Sequence, residues 1–408
     1  MRLISFRGLA RNLRYGIDRL RAKFSYLALA DGNVKNFTFK QLSSDTPNVL
    51  FVTSNGAGMG HITRCLAIAT AGRDQFHSSF ITLSSSAAVV GDQGFEYLYF
   101  QSAAKTGQPA RLWNNHFYQL MMSVLKRNHF DAVVFDGTWV YRGLEGALDR
   151  FQGTRLIWLR RGLWKKEARA DQLIRMEARS DGIISPWDVG CGYEDGPLKG
   201  NGNSTGVNGI VYLPTGAPYS REESLSALGL DAGSRYALIQ LGAGNINDIA
   251  DVRSQVLADI SALGQNRIVP VLAISPLSTE KFDVDGVRIL RRYPLSPYLA
   301  AFDFVVSAAG YNSVHEIVRW NIPSLIIPNE LASTDDQIAR ARGASDLPFC
   351  IMASTSADIR NGITQLVNGS YDGSPIAMSR NRQHHKAIQD IDGGEQAAEV
   401  IFDMIQTD

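Results

Sequence analysis

The chain has 408 residues, 45% of them hydrophobic, with 41 Lys and Arg against 40 Asp and Glu. That length supports two domains with real cores, and a near-neutral balance argues against a general nucleic-acid binder. Cys65, Cys191 and Cys350 lie far apart without CxxC or Cys/His spacing, which predicts buried, reduced thiols and no structural zinc.

Residues 1–47 form a basic extension. Phe6, Leu9, Leu13, Ile17, Leu20, Phe24 and Leu27 recur at steps of three and four, one stripe of an amphipathic helix. Arg7, Arg11, Arg14 and Arg21 run beside it. Such a helix suits an anionic membrane face; it equally suits packing on its own domain or on a partner chain. Gly8 and Gly16 weaken it. No apolar run reaches the ~18–20 residues of a spanning helix, and the N-terminus lacks the apolar core of a secretory signal. The expected location is cytoplasmic, with peripheral attachment to the inner face of the membrane through residues 1–30.

From residue 48 short apolar strands alternate with helices. The first series reads as strands at 48–54, 78–84, 95–100, 130–137, 153–162 and 180–188, with helices over 62–72 and 111–128. Residues 186–208, rich in Gly, Asn and Asp, read as a loop, and 209–220 as the linker. A second series follows, with strands at 235–242, 267–275, 286–292, 302–310, 322–329 and 348–354 and helices over 248–264, 311–320, 334–344 and 395–407. This pattern predicts two parallel α/β sheets, each covered on both faces, over 48–215 and 216–408. Ligands of such sheets sit beyond the strands' carboxyl ends, so two facing halves make a cleft.

The first strand ends in "NGAGMGH", residues 55–61. Glycines between a strand and a helix favour a ligand at the helix N-terminus. A dinucleotide site expects GxGxxG and an acid after the second strand; here His61 holds the third position and "FITLSSS" has no acid. No P-loop string occurs. His61, at a first helical turn, suits a general base, a phosphate ligand or a simple turn cap. Asp136, at the end of "FDAVVFD", suits an orienting carboxylate, a base or a helix N-cap. Arg160, Arg161 and Lys165 share another strand end, as an anion site or a solvated basic edge. Trp164 beside them suits a stacking platform or core.

In the second half, "LGAGNIND" places Gly242, Gly244 and Asn245 between strand and helix, where backbone amides can take a diphosphate. Residues 307–343 carry a small-residue turn, Ser307 to Gly310, then Glu316 on a helix, then Asp336 and Gln337. A carboxylate beside an amide suits sugar hydroxyls. "DVDG", residues 283–286, matches a metal-binding DxD string but reads as a turn.

The order glycine loop with His, "GYNSxxE", "IPxLIIP" and "DQxxRA" resembles nucleotide-sugar glycosyltransferases of the GT-B fold. The nearest type is family 28, which includes the N-acetylglucosaminyltransferase of peptidoglycan lipid-intermediate synthesis. The resemblance covers residues 48–408, most densely 307–343. It implies two Rossmann-like domains facing across a cleft. It implies a nucleotide-sugar co-substrate, typically a UDP-sugar, held by the second half. Glu316 would then bind ribose; Ser307, Gly310, Tyr311, Asn312 and Ser313 the diphosphate; Asp336 and Gln337 the sugar. Gly242, Gly244 and Asn245 would close over the phosphates, and backbone near Arg292 would hold the base. The first half would bind the acceptor, a lipid-linked or cell-envelope glycan, near Gly58, Gly60, Arg64, Arg160 and Arg161, with His61 as base and Asp136 beside it. Transfer would invert the sugar without a metal or other cofactor, helix dipoles and amides stabilising the leaving group.

One departure matters. The family often has proline after the histidine, whereas "HITRC" here also resembles the UDP-sugar hydrolase of pseudaminic acid biosynthesis. A hydrolase or 2-epimerase on the same fold is therefore the alternative, and a non-catalytic sugar-nucleotide binder or transferase partner subunit a third.

Overall fold

A computed structural model describes residues 39–407, apart from 41, 44, 55–58, 200–202, 215–218, 243–248, 264–267, 276–281, 283, 331–333 and 370–391. The basic stripe over 1–30, and Gly58, Gly244 and Asn245, lie outside the described residues.

The first sheet contains β1 (Asn48–Thr53), β2 (His77–Thr82), β3 (Glu96–Tyr99), β4 (Ala132–Asp136), β5 (Arg155–Leu159), β6 (Gly182–Pro186) and β7 (Thr205–Val207). Their spatial order is β3-β2-β1-β4-β5-β6-β7, all parallel. The second contains β8 (Arg235–Gln240), β9 (Ile268–Ala273), β10 (Arg288–Leu290), β11 (Phe304–Ala308), β12 (Ser324–Ile327) and β13 (Cys350–Met352), in the order β10-β9-β8-β11-β12-β13. Taken from its own first strand, each sheet runs 3-2-1-4-5-6, the doubly wound order.

Apolar runs buried on both faces explain the layers. In β1, Leu50 and Val52 join a cluster on one face of the sheet, while Val49 and Phe51 join the cluster on the other. In β8, Tyr236 and Leu238 divide from Ala237 and Ile239 in the same way. A side-chain period of two forces this division, so both faces need helices. The terminal helix Gly393–Gln406 crosses back to the first half, where Ala397, Ala398 and Ile401 pack with Phe51 and Leu66.

Three expectations change. Residues 186–208 are not all loop: β7 pairs Thr205 to Val207 with Ile184 to Pro186. Its sequence, Thr-Gly-Val, has one apolar side chain and so shows no apolar run. The segment expected as linker begins inside the first core, with Ile210, Val211 and Tyr212 buried. Cys191 is exposed, whereas Cys65 and Cys350 are buried. Val284–Val287 does form a turn, closed by Val287 N–H to the Val284 carbonyl at 3.1 Å.

Candidate active site between the two halves

In the 3-2-1-4 order, connections leave strands one and four in opposite directions, opening a crevice at their carboxyl ends. In the first sheet those strands are β1 and β4, with Thr53 opposite Asp136. The helix Gly60–Ala71 starts at this crevice. His61 Nδ1 lies 2.7 Å from Asp136 Oδ1. One turn on, Arg64 donates through Nε to Oδ2 at 3.0 Å and through Nη2 to Oδ1 at 2.6 Å. Burial alone would raise the Asp136 carboxyl, but Arg64 and then His61 outweigh it and hold the group below the usual carboxylate range. An ionised carboxylate only accepts, so Nδ1 donates to Asp136 and Nε2 is the ring nitrogen left to meet an acceptor. With both oxygens occupied and no exposure, Asp136 is placed to orient His61, not to meet an acceptor itself. Its side chain caps no helix there; Tyr141 precedes the next one.

The second crevice lies at the ends of β8 and β11. Gly242 turns there with φ +82°, a left-handed conformation. Gly310 has φ −70°, which any residue adopts, and a Cβ there would meet no atom within 4 Å. Neither backbone nor internal packing demands glycine at 310, which leaves space beside the helix Tyr311–Trp320. No side chain caps that helix, so its first-turn amides remain available to an anion. Ser313 is half-buried on this turn. Glu316 is buried and bonds no described residue; burial pushes its carboxyl up to about 8. Asn312 Nδ2 donates across the cleft to the Gly60 carbonyl at 3.2 Å, so the two helix starts touch.

Several expected ligand contacts are already used by the protein. Ser307 is fully buried, its hydroxyl donating to the Ala308 carbonyl at 2.9 Å. The Tyr311 side chain faces the first half: its hydroxyl donates to the Trp187 carbonyl at 3.1 Å and accepts from Ile210 N–H at 3.0 Å. Arg64 lies 5.0 Å from its ring centroid. The side chains of Ser307 and Tyr311 are thus engaged within the protein. Asp336 caps its own helix through Ala339 N–H at 3.0 Å, and Gln337 Oε1 accepts from Asn329 N–H at 3.0 Å. The second side-chain atom of each, Asp336 Oδ2 and Gln337 Nε2, bonds no described residue. Arg292 lies over Tyr298 and donates to its hydroxyl. Arg160 is buried among Glu177, Ser185 and Ser204, to all of which it donates. Arg161 bridges the halves, donating to Thr138 at 3.1 Å and Thr334 at 3.2 Å. Lys165 Nζ donates to the Glu330 carbonyl at 2.6 Å. Trp164 is core.

Sequence reasoning missed the residues that join the halves. Arg340 is buried between Asp188 of the first half and Asp335 of the second. Its only local signal was an arginine among alanines in "IARARGA". Burial lowers the His315 imidazole; its Nδ1 donates to the Tyr311 carbonyl at 2.7 Å and Nε2 accepts from Val189 N–H at 3.3 Å.

Residues 278–391 match the glycosyltransferase family 28 C-terminal domain. The chain has the GT-B fold and carries a glycosyltransferase family 28 C-terminal domain, which makes it a glycosyltransferase. No curated protein matches the sequence. Among solved structures, the kitacinnamycin glycotransferase aligns with 88% of this chain and 99% of its own at TM-score 0.60 and 15% identity. A Polygonum tinctorium UDP-glucosyltransferase that glucosylates indoxyl aligns over 90% and 100% at TM-score 0.60 and 15% identity. Acinetobacter baumannii MurG aligns over 88% and 99% at TM-score 0.50 and 16% identity. At such identities these structures share the fold. In this glycosyltransferase both sheets turn their crevices to one cleft, His61 and Asp136 on one wall and the Tyr311 helix on the other.

Proposed function

We propose that this glycosyltransferase moves a sugar from a UDP-sugar to an acceptor hydroxyl with inversion and without a metal. One observation carries the reading: His61 is held by Asp136 at 2.7 Å where Asn312 brings the Tyr311 helix against Gly60. His61 Nε2 takes the acceptor proton as the acceptor oxygen bonds the anomeric carbon. The bond from that carbon to the diphosphate breaks, and its electron pair leaves with UDP. The uncapped amides of the Tyr311 helix receive the growing phosphate charge. Glu316 accepts from the ribose hydroxyls, Asp336 accepts from a hydroxyl of the sugar, and Gln337 donates to one through Nε2.

The test separates the two walls. Glu316→Ala should weaken UDP binding about tenfold or more, the scale of one or two lost hydrogen bonds. His61→Ala should leave UDP binding intact and cut turnover by about 10²–10⁴. Near-normal transfer by His61→Ala would exclude it as the base. UDP release that ignores added acceptor would instead identify the hydrolase that "HITRC" suggests.

The acceptor is proposed to be a membrane lipid-linked or envelope glycan, the basic stripe over 1–30 attaching the enzyme to an anionic surface. Among the described residues no helix is long and apolar enough to cross a membrane. Removing residues 1–30 should abolish binding to anionic vesicles; unchanged binding would rule the attachment out.

A further inference from the structure

Arg340, on the helix Gln337–Ser345, is 1% exposed. Its Nη1 donates to the Ala309 carbonyl at 2.9 Å and to Asp335 Oδ2 at 3.1 Å. Its Nη2 donates to Asp335 Oδ1 at 2.9 Å and Asp188 Oδ2 at 2.8 Å. Its Nε donates to Asp188 Oδ2 at 2.9 Å. Ala309 precedes Gly310, and Asp335 precedes Asp336 and Gln337. Asp188 follows β6 in the first half. One planar fork therefore ties the turn assigned to the diphosphate, the loop assigned to the sugar, and the opposite domain.

Helix formation does not require this arrangement, since Asp336 already caps the helix. Desolvating three charges is costly, and well-packed apolar side chains often replace such groups without loss. What an apolar residue cannot do is hold two loops at a set separation through directed bonds. A guanidinium does this because its donors lie in one rigid plane.

We propose that Arg340 is a positioning residue for the donor, setting the distance between the 309–310 turn and the 335–337 loop and fixing both to the first half through Asp188. The proposal rests on the donor reading above. It assigns no contact between Arg340 and the donor. UDP alone engages the diphosphate turn; a UDP-sugar needs the turn and the loop in register.

Arg340→Lys keeps a charge but loses the fork, and Asp335→Asn loosens one loop while leaving the Asp188 pair. Calorimetric titration would compare UDP with whichever of UDP-glucose, UDP-galactose and UDP-N-acetylglucosamine the wild type binds best. In both variants the Kd ratio of UDP-sugar to UDP should rise about tenfold or more, the effect of losing about one hydrogen bond to the sugar. KM for the donor should rise with it. The pH profile of kcat should not move, since His61, Asp136 and Arg64 form a separate set of bonds. A general loss of stability weakens both ligands and leaves the ratio unchanged. An unchanged ratio in folded Arg340→Lys and Asp335→Asn overturns the positioning role. Failure of the wild type to bind UDP or any of the three sugars overturns the donor reading itself, and Arg340's role falls with it.

Discussion

Asp136 stays charged in a fully buried position because Arg64 and His61 replace the bonds it lost to water. Asp136→Asn removes the charge and leaves Arg64 buried without its counter-ion. Such a loss costs about 3–5 kcal/mol of stability and, through misorientation of His61, about 10²-fold or more in kcat. Denaturant unfolding and steady-state kinetics on the same variant check both. A carboxyl depressed below its ordinary value contributes stability above that value and loses it only as pH falls through the lower one, so Asp136 causes no change near neutrality. Glu316 has the opposite sign. Its carboxyl is pushed up to about 8 by burial, against 4.5 ordinarily. The folded protein keeps a proton that the unfolded chain releases, so stability falls as pH rises from about 4.5 to 8. Glu316→Gln removes that dependence. Its melting temperature should exceed the wild type's by a margin that widens from pH 5 to pH 8.5; parallel curves would contradict the burial of Glu316.

The elements show glycine used in two ways. Gly310 meets nothing that a Cβ would strike, and its φ of −70° suits any residue. Gly310→Ala should therefore hold stability within about 0.5 kcal/mol while weakening UDP binding, which thermal shift with and without UDP would show. Gly343 lies within the helix Gln337–Ser345, where glycine costs about 1 kcal/mol against alanine. A Cβ at 343 would lie 2.2 Å from the Val189 carbonyl oxygen. Gly343→Ala should thus destabilise by about 1–3 kcal/mol or more despite its better helix propensity, measured by chemical denaturation.

For the whole molecule, each half is a doubly wound sheet, but the halves do not divide cleanly along the chain. The loop after β6 docks on the second half through Asp188 and His315, and the terminal helix returns to the first. Ile401 is fully buried beside β1. Ile401→Ala should cost about 2–5 kcal/mol. Hydrogen exchange should show the loss first in β1 and the Gly60–Ala71 helix, at least 330 residues away in sequence. Loss of protection confined to the terminal helix would mean that the helix is only an attachment.

The alternation of apolar runs and helices was legible because it depends on neighbours a few positions apart. Among the described residues it placed twelve of the thirteen strands and the helix 311–320; β7, Thr-Gly-Val, has a single apolar residue and left no apolar run. His61, Asp136 and Glu316 stood out because each closes or follows an apolar strand. The partners of the charged side chains were not legible. Arg160 and Arg161 look alike in sequence, yet one is sealed against Glu177 while the other spans the halves. Arg340 meets Asp188 across 152 positions. A local pattern records how a residue must point to bury its own element. Which charges meet in the interior depends on which distant elements pack together, and only the tertiary structure decides that.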